Sequence, residues 1–489
     1  MAQNTQRSQQ AAGDSSASPS ALFTLILLNG TVFVSSFCMM VIELTAGRII
    51  ARTLGASLYT WTSVIGVVLA GIAIGNYAGG LIADRRGTRR TLALLFVLSS
   101  ALSASIVVSD SWVGGWSGLW MLSWPARVAS HVALVFFLPA AMLGTISPVV
   151  AKMALEVGKE TGRTLGSVYA WATAGSIGGT FATGFWLVDL FGTKTIIWAA
   201  AGVLAIMGLS YGLRSAGTWG WAAILLVTTM LGTARWSWAS QAGEKLGLRD
   251  IADPTLIYSD ESQYSTIRVF RSGDEGDIRQ FMLDTLMHSE IDMHSPFNFQ
   301  YSYEKVYAGV TKRLFKGRDR VDNLTIGGGG YVYPRYMEAT WPAGRTEVAE
   351  IDPAVTEAAK AAFGLPRDTK IICYDEDGRV RIDRMARRHK SGEKVDAFDV
   401  IYCDAVNDYS VPYQLTTIEF MRMADALIKP GGAYIVNMID IYDTGLLLSA
   451  MYNTMREVFP HVYVLIEGVP LEEIHEDRNT FVLVGVRSE

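Results

Sequence analysis

The sequence predicts a multi-pass α-helical membrane bundle followed by a doubly wound α/β domain, with a small β subdomain between them. Three observations carry this. Residues 21–235 hold long apolar runs with few charges, whereas 240–489 have ordinary globular composition and most of the acidic and basic residues. From 323 onward, short strand-like runs alternate with helical stretches. Glycines and acids fall at the ends of successive strand-like runs. Whole-chain values average over this asymmetry: 489 residues, 50% hydrophobic and 18% charged. A net charge of -5 gives no electrostatic reason to expect nucleic acid as a partner. Cys38, Cys373 and Cys403 lie far apart, show neither metal spacing nor a disulfide framework, and suit a reducing compartment.

Residues 1–20 are polar, rich in Gln, Ser and Ala, and expected to be disordered. The first apolar run is too long for a signal peptide and reads as a retained helix. Seven segments are long and apolar enough to cross a bilayer: about 21–42, 58–83, 91–109, 128–150, 165–188, 194–213 and 218–236. Gly66, Gly71, Gly75, Gly79 and Gly80 in the second, and Gly175, Gly178, Gly179 and Gly184 in the fifth, permit close helix approach in lipid. The basic loop Asp84–Arg90 places its side in the cytoplasm, and Lys152, Lys159 and Arg163 agree. Starting at Gly80, this loop resembles the G-x-x-x-D-R-x-G-x-R-R signature of major facilitator transporters; the likeness covers the loop alone. Seven crossings would leave the C-terminal domain outside, where a nucleoside cofactor is scarce. An even number is therefore expected, with the Trp-rich stretch 112–124 as an interfacial helix or an eighth crossing. Glu43 and Arg48 fall at the end of the first predicted span, where Arg48 is expected to snorkel. The expectation is an inner (cytoplasmic) membrane protein whose catalytic domain faces the cytoplasm.

In the second half, 265–270 and 279–283 read as strands of a small antiparallel subdomain, and 300–316 as a helix. Strands are expected at 323–326, 345–351, 370–374, 398–403 and 433–438, with helices from about 333, at 354–363 and at 414–427. Lys429–Gly432 reads as a turn, and late strands at 461–467 and 480–486 close the sheet. The expected domains are 1–20, 21–236, a linker and β subdomain over 237–300, and a catalytic domain over 301–489.

The chemistry is expected at the carboxyl ends of the strands. Gly327, Gly328, Gly329 and Gly330 follow the first parallel strand and allow close backbone approach to a ligand. Glu350, about twenty residues on, suits ribose hydroxyls, and NAD would give a similar pattern. Asp377-Gly378 after the third strand suits an adenine amino group. Asp404 after the fourth would lie beside a reactive sulfonium, taking a proton from a nucleophile or steadying the positive sulfur.

These residues resemble the spermidine synthase (polyamine aminopropyltransferase) family in its membrane-fused form. The resemblance spans about 255–489 and rests on Tyr264-Ser265-Thr266-Ile267, Leu283-Asp284-Thr285, Tyr303-Glu304, the glycine run, Glu350-Ile351-Asp352-Pro353, Asp377-Gly378 and Asp404–Leu415. It implies a β subdomain before a Rossmann-like, class I methyltransferase-type domain, homodimers, and aminopropyl transfer from decarboxylated S-adenosylmethionine with release of 5′-methylthioadenosine. It implies no metal. By position, Gly327, Gly328, Gly329, Glu350, Asp352, Asp377 and Gly378 would hold the nucleoside. Asp404 would activate the attacking amine, with Asp408 and Tyr303 beside it. Gln263, Asp284, His288, Tyr301, Glu304, Gly330, Tyr331 and Tyr409 would surround the donor tail and acceptor.

The departures concern the substrate. The family's Gly-Gly-Gly-Asp-Gly ends here in Gly330-Tyr331, so the aspartate that grips the donor amine is missing. The Tyr-Gln pair is Tyr264-Ser265 with Gln263 displaced, Leu-Asp-Gly is Leu-Asp-Thr, and Asp-Pro is Asp408-Tyr409. A site lacking that carboxylate repels the carboxylate of intact S-adenosylmethionine less. The expected reaction is propyl-side cleavage of S-adenosylmethionine or its decarboxylated form. It ends in transfer to a polyamine or in internal closure to homoserine lactone. Two rivals are a methyltransferase acting on a membrane substrate and a nucleoside-regulated transporter or sensor.

Overall fold

The computed structural model describes residues 19–158, 160–212, 216–233, 237–246, 248, 253–272, 277–405, 411–470, 473–475 and 477–487. It separates into two compact units, Met1–Ala252 and Asp253–Glu489.

The first unit is helical: α1 (Pro19–Leu54), α2 (Leu58–Arg86), α3 (Arg89–Gly114), α4 (Ser117–Trp120), α5 (Trp124–Gly144), α6 (Ile146–Val157), α7 (Thr161–Ala182), α8 (Val188–Phe191), α9 (Thr193–Gly212), α10 (Ala216–Thr233) and α11 (Ser237–Lys245). Ser57 and Thr88 cap α2 and α3 by accepting from Thr60 and Thr91 N–H. Every predicted apolar segment is helical, with differences. α1 runs to Leu54, so Glu43 and Arg48 lie within it rather than at its end. The segment 128–150 divides at Thr145 between α5 and α6, and 165–188 changes at Thr183 into a π turn, Thr183–Leu187. The stretch 112–124 holds only the end of α3 and the four-residue α4, far too short for a crossing. The start of the expected linker is α11.

Among the described residues, five helical stretches are long and apolar enough to cross a membrane, and Ala216–Gly232 is a shorter apolar helix. Gly71, Gly75 and Gly79 form a buried stripe along α2. Large apolar side chains face outward, including Leu58, Tyr77, Trp112, Met121 and Leu226.

The second unit begins with an antiparallel sheet, β1 (Leu256–Glu261), β2 (Thr266–Ser272), β3 (Ile278–Leu283) and β4 (Leu286–Asp292), in that order. Next come α12 (Ser302–Leu314), β5 (Asn323–Ile326), α13 (Val332–Thr340), β6 (Thr346–Glu350), α14 (Pro353–Ala362), β7 (Ile372–Asp375), α15 (Gly378–Lys390) and β8 (Phe398–Cys403). The chain ends with α16 (Ile418–Ala426), β9 (Ile428–Ile441), α17 (Leu446–Arg456), β10 (His461–Leu465) and β11 (Arg478–Val486). The seven-stranded sheet has the order β10-β11-β9-β8-β5-β6-β7. β5 to β9 are parallel; β11 runs antiparallel to both β9 and β10. β5, β6 and β8 are buried at every residue, and apolar and β-branched residues make up most of them.

The predicted turn Lys429–Gly432 lies inside β9. The pairing jumps from Phe398↔Ile428 to Val400↔Ala433, so these residues form a bulge, with Gly431 at φ +69. At the amino ends of β5 and β8, Lys429 Nζ bridges Asp322 (2.7 Å) and Asp399 (2.9 Å), tying the sheet together away from its carboxyl edge. The chain direction switches between β5 and β8, so the ligand crevice of this architecture opens beyond their carboxyl ends.

Candidate active site

β5 ends on Gly327, whose φ of +90 turns the chain sharply. A Cβ there would stand 2.7 Å from the Asp404 carbonyl oxygen, so the loops after β5 and β8 touch at the switch point. Gly328 N–H donates to Glu350 Oε2 (2.6 Å), and Asp352 N–H donates to Glu350 Oε1 (2.9 Å). Glu350 is buried. Burial raises its carboxyl above the usual range, while these backbone bonds oppose the rise. Its carboxylate therefore fastens the glycine loop to the end of β6, with lone pairs left for ribose hydroxyls.

Glu350, Asp352 and Asp377 end or follow the neighbouring strands β6 and β7. Burial raises the phenol of half-exposed Tyr264, and the charges of Asp352, Asp377 and Glu350 add to the rise. Asp377 also caps α15 by accepting from Val380 N–H (3.0 Å), and Gly378 lies flat against Ile326. Asp352 caps α14 through Ala354 N–H (3.0 Å) and accepts a hydrogen bond from Ser262 of the β subdomain. Asp352 thus also pins α14 and the β subdomain, and like Glu350 it keeps further lone pairs on each oxygen.

At the end of β8, Asp404 Oδ2 accepts from the Tyr303 hydroxyl (3.1 Å) and Oδ1 from Asn437 Nδ2 (3.0 Å). Burial raises the Asp404 carboxyl; the two hydrogen bonds oppose this. Tyr303 and Glu304 come from the first turn of α12. Glu304 is 2% exposed, its Oε2 has no hydrogen-bond partner among the described residues, and burial followed by Asp404 raises its carboxyl well above normal. The Tyr301 hydroxyl donates to the Met287 carbonyl (3.0 Å). Burial, then Glu290, Glu304 and Asp404, raise that phenol. Tyr301, Tyr303, Glu304 and Asp404 thus form one cluster. His288 sits where the β3–β4 register slips, between Met287 and Ser289, and burial pushes its imidazole down to about 4. Such a centre, with two buried carboxyl groups and one carboxyl oxygen without a partner among the described residues, suits a cationic or proton-releasing substrate group.

Several predicted positions also serve packing. Asp284 occupies the β3–β4 turn at φ +50, and its Oδ1 braces the hairpin by accepting from Thr266 N–H (2.9 Å). Tyr331, at φ +58, is fully buried beneath the glycine loop with its hydroxyl 2.7 Å from Thr356 Oγ1. The tyrosine ring, not a ligand, fills the space that a Cβ on Gly328 would need. Gly330 opens onto no pocket: a Cβ would meet the Phe363 ring and Ser289 Cβ (2.7 Å), and its N–H donates to Ser289 Oγ (2.9 Å). Gln263 is exposed in the β1–β2 turn. Asp408 and Tyr409 lie outside the described residues. No group of three or more His, Cys, Asp or Glu placed to hold a metal occurs among the described residues. The sequence reading missed Asn437, whose signal was a lone amide inside the apolar run Ala433–Met438.

No family model matches the chain. It is 32% identical over 148 residues to a probable polyamine aminopropyl transferase of Bifidobacterium longum, covering 30% of this chain and 31% of that protein. It is 29% identical over 167 residues to the eEF1A lysine and N-terminal methyltransferase of Xenopus laevis, covering 34% and 23%. It is 26% identical over 217 residues to the polyamine aminopropyltransferase of Vibrio vulnificus, covering 44% and 68%. The chain therefore spans about a third or less of the first two of these relatives. Among solved structures, a probable spermidine synthase from Corynebacterium glutamicum aligns with a TM-score of 0.41 at 21% identity, over 48% of this chain and 81% of that one. The chain is similar to polyamine aminopropyltransferases and to methyltransferases that alkylate amines, and it places several apolar helices before an α/β domain.

Proposed function

We propose that this chain is an integral-membrane enzyme that breaks a propyl-side carbon–sulfur bond of S-adenosylmethionine or its decarboxylated form, releasing 5′-methylthioadenosine. The observation that carries the reading is the buried cluster of Asp404, Tyr303 and Glu304 at the carboxyl end of β8. The cluster adjoins the glycine loop, which Glu350 fastens. Glu350, Asp377 and the glycine loop hold the nucleoside. The bond electrons return to sulfur, leaving a neutral thioether.

Two nucleophiles fit. An amine attacks with its lone pair and passes a proton to Asp404, whose raised carboxyl suits general-base work. Alternatively, the substrate's own carboxylate closes on its γ-carbon to give homoserine lactone, a step that releases no proton and needs no base. The partnerless Glu304 oxygen favours the amine, because it offers an acceptor to an ammonium group. A second reading, methyl transfer to an amine, is supported by the likeness to the lysine and N-terminal methyltransferase. The outward-facing apolar side chains and the length of the apolar helices support placement in a bilayer.

The test is incubation of purified full-length protein with S-adenosylmethionine or its decarboxylated form, with and without putrescine, followed by mass spectrometry. Methylthioadenosine with an alkylated amine is the expected result, and methylthioadenosine with homoserine lactone identifies internal closure. S-adenosylhomocysteine would move the assignment to methyl transfer. Tight nucleoside binding without turnover would leave a regulatory domain.

A further inference from the structure

The helical unit repeats itself. Ser63-Val64, Ala70-Gly71, Gly75 and Gly80 of α2 match Ser167-Val168, Ala174-Gly175 and Gly179 of α7 and Gly184 of the π turn, at a constant spacing of 104 residues (71 to 175). Beyond the π turn the spacing is one residue longer (84 to 189). Asp84, Gly87, Thr88 and Arg89 match Asp189, Gly192, Thr193 and Lys194. A single π turn is how an α-helix absorbs one inserted residue.

The packing repeats with its partners exchanged. A Cβ on Gly71 would meet the carbonyl of Phe137, and one on Gly75 that of Ala141, both on α5. A Cβ on Gly175 would meet the carbonyl of Phe33, and one on Gly179 that of Phe37, both on α1. Phe33 and Phe137, like Phe37 and Ala141, are separated by the same 104 residues (33 to 137). So α2 packs on α5 as α7 packs on α1, and α3 and α9 pack on each other. Lipid-facing helices reuse glycine stripes freely. Chance reuse does not return reciprocal partners at one spacing. The contact set is that of two interlocked three-helix copies, α1–α3 and α5–α9, related by a two-fold axis.

Counting α7, the π turn and α8 as one helix over Thr161–Phe191, beside the five longer apolar stretches, gives each copy three crossings, and an odd number makes the copies run in opposite senses through a bilayer. Solute sites in inverted repeats lie where the copies meet. Here that contact is polar. Asp110 on α3 of the first copy and His131 on α5 of the second are buried 2.9 Å apart. Ser103 and Ser99 lie on the same face of α3, seven and eleven residues before Asp110. Both are 0% exposed, and neither hydroxyl has a hydrogen-bond partner among the described residues. Stranded hydroxyls are costly in an apolar interior unless another state or a ligand satisfies them.

We propose that the helical unit is an inverted duplication whose copies enclose a passage for a small polar solute, with the hydrogen-bonded pair Asp110 and His131 as its polar site and Ser103 and Ser99 along its wall. Carboxylate and hydroxyl oxygens accept hydrogen bonds, so the solute class is a donor-rich one, a protonated amine. The passage stands apart from the catalytic reading and needs only the bilayer placement.

The test uses full-length protein with Cys38, Cys373 and Cys403 replaced by alanine, in oriented membrane vesicles. Arg90→Cys and Thr195→Cys, at matched exposed positions, should react with a membrane-impermeant maleimide from opposite sides. Labelling from the same side overturns the inversion. Ser103→Cys changes one atom and should react with a small water-soluble methanethiosulfonate many times faster than Ile197→Cys, which is 0% exposed in the apolar core. Equal inertness from both sides overturns the passage. Methylammonium should slow the Ser103→Cys reaction and acetate should not; equal effects overturn the amine class.

Discussion

Replacing Asp404 with asparagine separates chemistry from architecture. The carboxylate takes hydrogen bonds from Tyr303 (3.1 Å) and Asn437 (3.0 Å). An amide of the same shape keeps an oxygen for Asn437 and turns its NH2 toward the phenol oxygen of Tyr303, so both contacts survive. What disappears is the proton acceptor. A positioned general base is worth about 10²–10⁴ in rate, or roughly 3–5 kcal/mol of barrier, and Asp404→Asn should lose that much turnover. Stability should move the other way. Burial raises the folded-state carboxyl above its unfolded value, so the stability tied to Asp404 is present at low pH and declines as pH rises through the raised value. The neutral amide escapes this decline, so the variant should melt at or above wild type near neutral pH. Single-turnover formation of methylthioadenosine, nucleoside affinity and thermal melting are the readouts. Loss of turnover with affinity retained supports the base. A variant that keeps more than about a tenth of wild-type turnover refutes that role, and if its product is homoserine lactone, internal closure is the reaction.

Asn437→Leu removes a hydrogen bond worth about 1.5–3 kcal/mol to a charged acceptor, so the acidic limb of the pH–rate profile should move to higher pH. Gly330→Asp restores the family's carboxylate where Ser289 Cβ stands 2.7 Å from the new Cβ. Overpacking of about 1–3 kcal/mol should lower the melting temperature without creating turnover of the decarboxylated donor. His288 is held near 4 against an ordinary 6.5, so the unfolded chain takes up its proton first and stability falls as pH drops between these values. The loss is at most about 3 kcal/mol, and His288→Gln should flatten urea midpoints across that window.

How much was legible follows burial. β5 and β8 were read to the residue because both are buried throughout and rich in apolar and β-branched residues, with glycine or aspartate just after them. α15 was missed because its apolar face, Ile382 and Met385 among arginines, is narrow. β1 and β4 were missed because their alternation is weak. The positions Asp404, Tyr303 and Glu304 were legible as polar groups at element ends, and the structure brings them together. Asp284, Asp352 and Tyr331 were equally conspicuous, and the structure adds that hydrogen bonds with Thr266, Ser262 and Thr356 also tie them into turns, caps and packing.

Gly330 shows the division most clearly. The sequence alone determined that no carboxylate stands after the third glycine, that an acid ends the second and fourth parallel strands, and that a long apolar half precedes them. These are statements of residue type and spacing, which periodicity and strand-end chemistry expose directly. Only the tertiary structure decided that Phe363 and Ser289 already fill the space beside Gly330, and that Asn437 from a distant strand holds Asp404. It alone revealed that the two glycine-striped helices exchange partners, α2 packing on α5 and α7 on α1. Each depends on which surfaces meet across long stretches of chain, and local pattern carries no record of that.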